Sequence, residues 1–214
     1  MSTFTKTTSV CAVCGEKSSH NTIMSTNCFG SPDLDLRPSE MKRSTMPLWL
    51  ECCPNCGYVA SSISKRTNIK KERLASLSPR DYGLPVKSKL CERFLKQYLI
   101  SVEEDNFKDA IYSALHAAWT CDDLGEKEAA AECRLLSLDA LEKYQSDVGK
   151  EDRLLLRMDL LRRTGQFEKL IGDYEGISFG KEPHDSILAF QLSKAKARDS
   201  RAYRISDAED WNRE

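Results

Sequence analysis

Two Cys-x-x-Cys-Gly sequences, Cys11-Ala-Val-Cys14-Gly15 and Cys53-Pro54-Asn55-Cys56-Gly57, constrain this chain more than any other feature. Each sets two thiols on one tight turn, and the glycine that follows accepts a left-handed backbone without penalty. Two such turns bring four sulfurs together, the ligand set of a closed, tetrahedral structural zinc site. The expected ligands are therefore Cys11, Cys14, Cys53 and Cys56, and the expected ion is Zn²⁺. A redox reading of the same pairs fits less well, because a thioredoxin-like motif opens a helix directly after a buried strand. The chain has nine cysteines. An odd number argues against a complete intramolecular disulfide framework, and thiols kept for metal point to a reducing compartment, the cytoplasm.

The metal pairs organise an N-terminal module over residues 1–60. Met1 to Val10 is rich in Ser and Thr and reads as a short flexible leader with no apolar signal core. Thr22 to Thr26 and Pro47 to Cys52 have the composition of short strands, with a turn at Gly30-Ser31-Pro32-Asp33 between them. A module this small buries too little apolar surface to fold alone, so metal takes the place of core. His20, Cys28 and Cys52 are further donors nearby, read as structural or exposed rather than as ligands. The stretch Asp33-Leu34-Asp35-Leu36-Arg37-Pro38 sets two carboxylates beside a guanidinium. Such a group could serve acid–base chemistry. Its favoured reading is structural, with Asp33, Asp35 and Arg37 bonding to turns and to one another.

Charge is unevenly placed. Residues 61–90 carry eight basic side chains against two acidic ones, while residues 91–214 carry nineteen basic against twenty-six acidic. The connector over 61–86 is thus basic and the module from 87 to 214 acidic. Two readings follow: the connector docks on the acidic helices of its own chain, or Lys65, Arg66, Lys70, Lys71 and Arg73 contact nucleic-acid phosphates. Docking is favoured, since the acidic remainder repels a phosphate backbone and few aromatic side chains flank the basic run. No apolar run approaches the ~18 residues of a membrane span.

From Ser88 onward the apolar residues follow helical period. Helices are expected over residues 88–105, 106–124, 126–146, 151–164, 166–175 and 183–199, with Gly125 and Gly165 closing two of them forty residues apart. That spacing suggests stacked helical hairpins, although the match to the tetratricopeptide consensus is poor and an antiparallel bundle fits the same short loops. His116, Cys121 and Cys133 could form a second metal site, but the favoured reading makes them and Trp119 core residues of these helices. The tail from Arg201 is expected to dock through Trp211 as a short helix. The fold class is mainly α, with a small N-terminal β zinc ribbon followed by an antiparallel, tetratricopeptide-like module.

Taken together, the two knuckles, Phe29-Gly30-Ser31-Pro32-Asp33-Leu34-Asp35-Leu36-Arg37-Pro38, Met41-Lys42-Arg43-Ser44-Thr45 and Asp199 to Ala208 resemble a bacterial family catalogued as domain of unknown function 2225. The resemblance implies a split zinc ribbon continued by tetratricopeptide-like helices in a bacterial cytoplasm. One departure is Ala12, where the first knuckle of that family often carries Pro. The expected function is a non-enzymatic, zinc-binding scaffold that engages a protein partner. The alternatives are a nucleic-acid-binding ribbon using residues 65–73 and an enzyme using Asp33, Asp35 and Arg37.

Overall fold

The first thirty residues are governed by β-branched chemistry. Thr3–Val10 forms strand β1, which pairs antiparallel with β2, Lys17–Ser25, in a register that sets Val10 opposite Lys17 and Thr7 opposite His20. Thr and Ser dominate both strands, and their hydroxyls meet across the ladder, as in the 2.6 Å contact between Thr7 and Thr22. The expected flexible leader is therefore a strand. Its polar side chains lack the apolar alternation that marks a half-buried strand, so its partner in β2 reveals it and its own sequence does not.

In this computed structural model, which describes residues 1–144, 146 and 149–211, the first knuckle is the turn joining β1 to β2. The second knuckle is likewise a hairpin turn, between β3 (Glu51–Cys52) and β4 (Val59–Ala60). The strand expected over 47–52 is shorter than anticipated. Residues Arg43–Leu48 form a 3-10 helix with Pro47 inside it, and the Trp49 indole donates to the Thr45 hydroxyl at 2.9 Å. The buried Glu51 carboxylate accepts from Ser9, Ser62 and the Ile63 amide, tying the two hairpins together.

The connector carries a helix that its charge pattern conceals, α1 (Lys71–Ser76), which buries Leu74 while its charged residues stay in solvent. Lys65, Arg73 and Arg80 form ion pairs with Asp109, Glu103 and Glu92, and Lys87, just beyond the connector, pairs with Glu126. The connector thus docks on the acidic helices. These pairs are solvent-exposed and each adds little stability, so they guide placement while Leu74 and Leu77 supply burial.

The helical part is α2 (Lys89–Glu103), α3 (Phe107–Asp123), α4 (Lys127–Lys143), α5 (Lys150–Arg163), α6 (Phe167–Tyr174), α7 (His184–Lys196) and α8 (Ile205–Trp211). Ser88 caps α2 by accepting from the Cys91 amide, and Asn106 caps α3 by accepting from that of Asp109. Gly125 and Gly165 adopt φ of 74° just beyond α3 and α5, which fixes the tight returns read from the sequence. The third helix ends at Lys143, before the anticipated 146, and residue 145 lies outside the described residues. The fold is mainly α with a small N-terminal β part. Packing follows chain order, α2 on α3 on α4, then α5 with α6 and α7, as in hairpins laid side by side. Helix α8 docks on α7 with Trp211 against Phe190, and its approach pairs the Tyr203 and Ile205 backbone with Leu34 and Pro32.

Candidate metal centre

The four knuckle thiols converge. Cys11 lies 3.6 Å from Cys56 and Cys14 lies 3.6 Å from Cys53, sulfur to sulfur, and all four sulfurs fall within 4.8 Å of one another. Four thiolates at about 2.3 Å from one tetrahedral zinc stand roughly 3.8 Å apart, so the donor set fits a single ion of that kind. Each turn is built alike. The Gly15 amide donates to the Cys11 carbonyl at 2.9 Å and the Gly57 amide to the Cys53 carbonyl at 3.0 Å, both glycines having positive φ. Backbone amides also point at the sulfurs: those of Val13 and Cys14 at Cys11, that of Glu16 at Cys14 and that of Tyr58 at Cys56. The Glu16 amide is the main reason the Cys14 thiol is drawn down to about 6, whereas burial pushes Cys11 up. Oriented donors of this sort hold ligands in place and stabilise thiolate.

The other nearby donors stand apart from this cluster. Cys28 is exposed and contacts Ser39, His20 bonds to Ser18 on β2, and Cys52 is half-buried beside Arg93 and Lys96. Replacing Cys28 or Cys52 with Ser is expected to leave zinc content unchanged, a result that elemental analysis of purified protein checks.

The acidic loop sits elsewhere and is absorbed by packing. Asp35 is fully buried, accepting from the Trp119 indole at 2.9 Å and from Arg134 at 3.2 Å, with Arg163 at 3.8 Å. Burial alone raises its pKa, but Arg134 and Arg163 bring it below the usual carboxylate range. Arg37 is paired with Asp123 and Asp33 with Arg43. Burial pushes the Asp33 carboxyl up against the pull of Arg43. The loop thus ties the ribbon to α3, α4 and α5. These partners, Trp119, Arg134 and Arg163, lie 84 or more residues away, and no local spacing announces them.

Of the basic residues considered for nucleic acid, Lys65 and Arg73 are engaged with Asp109 and Glu103, while Arg66, Lys70 and Lys71 are exposed. His116 packs edge-on against Trp49 and Phe94 and beside Trp119, lining a cleft of about 580 Å³ with Ile23, Leu36 and Tyr112. It keeps some surface at the cleft, yet the rings around it exclude enough water to draw its pKa down to about 4, a pull that Asp35 only partly opposes. The unfolded value is ~6.5. The native state therefore resists protonation, and stability falls as pH drops from ~6.5 towards 4, by up to about 3 kcal/mol. Urea midpoints at the two ends of that range should differ by less in His116→Gln than in the wild type.

A further cysteine cluster joins Cys91, which the sequence did not single out, to Cys121 and Cys133, its members coming from three helices. Cys91, Cys121 and Cys133 place their sulfurs within 4.8 Å of one another, without His116. No Cys-x-x-Cys spacing marks them, and only the side-by-side packing of α2, α3 and α4 brings them together.

The fold and this centre define a mainly α chain whose N-terminal β part carries a four-cysteine cluster that could hold a metal ion. No family model matches the chain, and no curated protein or solved structure matches it. Among the described residues, no helix is long and apolar enough to cross a membrane.

Proposed function

We propose that this chain is a non-enzymatic, zinc-stabilised scaffold of the bacterial cytoplasm, built like the split-ribbon family it resembles, that engages a protein partner. The observation that carries this reading is the convergence of four sulfurs: those of Cys11, Cys14, Cys53 and Cys56 lie within 4.8 Å of one another, and a zinc ion held by all four has no position left for substrate. Zinc there supplies cohesion to a module with little core. The engagement of Asp35 by Trp119 and Arg134 supports the same reading against an enzyme built on that loop.

The cleft between the ribbon and α3 suits a partner peptide with an apolar anchor. Trp49, Tyr112 and Trp119 line it, and the exposed Leu36 stands at its edge. Leu36 has φ of 68°, a conformation that Asp tolerates better than Leu, so Leu36→Asp should fold while charging the cleft. The test is affinity capture by the intact protein from lysate, with and without nuclease, by wild type and Leu36→Asp. A discrete protein retained through nuclease and lost with Leu36→Asp supports the proposal. Recovery that collapses with nuclease, and with joint replacement of Arg66, Lys70 and Lys71 by Glu, favours the nucleic-acid reading instead.

A further inference from the structure

Cys91, Cys121 and Cys133 are each fully buried, and the Cys91 and Cys121 sulfurs are 3.7 Å apart. Cys91 lies in the first turn of α2, Cys121 in the last turn of α3 and Cys133 in the second turn of α4. One end of this three-helix layer therefore gathers three thiols around a point. Buried cysteines often pack simply as small apolar groups. Here, however, polar groups also face the sulfurs. The Lys87 backbone amide points at Cys91, the Cys91 thiol donates to the Pro85 carbonyl at 3.5 Å, and the Thr120 hydroxyl, beside Cys91 and Cys121, donates to the Ala117 carbonyl at 2.7 Å. The first turn of α2 adds the positive end of its dipole. The amide and the helix dipole favour thiolate at Cys91, and a metal ion bound by the three sulfurs would displace the thiol proton that Pro85 accepts.

The donor set selects the ion. Three sulfurs this close converge on one ion rather than spanning a multi-iron cluster. Structural zinc takes four ligands, and the described His, Cys, Asp and Glu residues add no fourth donor to this group. A soft monovalent d¹⁰ cation is satisfied by three thiolates, and thiolate selects Cu(I) over harder ions. We propose that Cys91, Cys121 and Cys133 form a second metal site that takes a single Cu(I) ion, distinct from the zinc ribbon. On binding, copper–sulfur bonds replace S–H bonds, the displaced protons pass to solvent, and the metal does not change oxidation state.

The test uses the full zinc-loaded chain under anaerobic, reducing conditions. Cu(I) is delivered from its bathocuproine disulfonate complex while zinc release is followed in the same sample. The expected result is one Cu(I) bound per chain with zinc retained, and an affinity lower by roughly a hundredfold or more in Cys133→Ala, since losing a ligand outweighs losing its support. Cys28→Ser should behave as the wild type. Copper uptake only as zinc leaves, or uptake unaffected in a folded Cys133→Ala variant, overturns the proposal. Should that variant fail to fold, copper-edge X-ray absorption of the wild type decides: three sulfurs per copper supports the site, and any other first shell overturns it.

Discussion

Stripping zinc from the native protein, or replacing Cys53 with Ser, is expected to unfold the ribbon. Cys53 is almost completely buried between the two knuckles, and its loss leaves three thiolates around an open, polar gap. Structural zinc in finger-sized modules is worth on the order of 10–16 kcal/mol near neutral pH. A whole domain is usually stable by about 5–15 kcal/mol. The small sheets of residues 51–60 and 3–25 cannot replace that contribution, since most side chains of β1 are exposed. Trp49 reports the event well, because its ring stands 4.9 Å from His116 and 6.4 Å from Trp119. Near-UV circular dichroism should therefore collapse on chelation, while most far-UV helical signal, which comes from α2 to α7, persists. A near-UV spectrum unchanged after zinc removal would falsify the assignment of zinc to cohesion.

The second large effect falls on Asp35. Its carboxylate is enclosed by Trp119, Arg134 and Arg163, and Arg134 is itself buried. Asp35→Asn keeps the shape but removes the charge, leaving Arg134 to share Asp122 with Arg163. Breaking a buried pair on one side typically costs about 3–5 kcal/mol, because the remaining charge stays desolvated. For a chain of this size that lowers Tm by roughly 10 °C. Replacing Asp35 and Arg134 together with apolar residues should recover much of the loss, which separates charge imbalance from lost packing. The pH dependence has a defined sign. A carboxylate held below its unfolded pKa adds stability above that value, ~3.9, and loses it as pH falls through the lower folded value. In Asp35→Asn this contribution to acid lability disappears.

The convergence of the four knuckle cysteines was legible because its chemistry is local. Two thiols on one turn require a short spacing, and Gly15 and Gly57 mark the backbone that the turn needs. The helices from Ser88 onward were legible for a similar reason, since caps and apolar period act within a few residues. Features set by distant partners were not. β1 is polar, and only its ladder with β2 makes it a strand. Helix α1 lies within a run of charge and is held by the burial of Leu74 and Leu77. Asp35 could be singled out as unusual, yet its partners Arg134 and Arg163 follow no motif. The three helical cysteines are a stronger case. Each reads alone as a packing residue, and only the alignment of three helices makes them neighbours.

The closed four-sulfur zinc site is the claim on which the scaffold reading stands. Zinc-edge X-ray absorption of the intact purified protein tests it directly. The predicted result is a single shell of four sulfurs at about 2.3 Å, with no nitrogen or oxygen neighbour. A shell containing an oxygen or nitrogen ligand at about 2.0–2.1 Å would contradict it, because an open or mixed site could bind substrate.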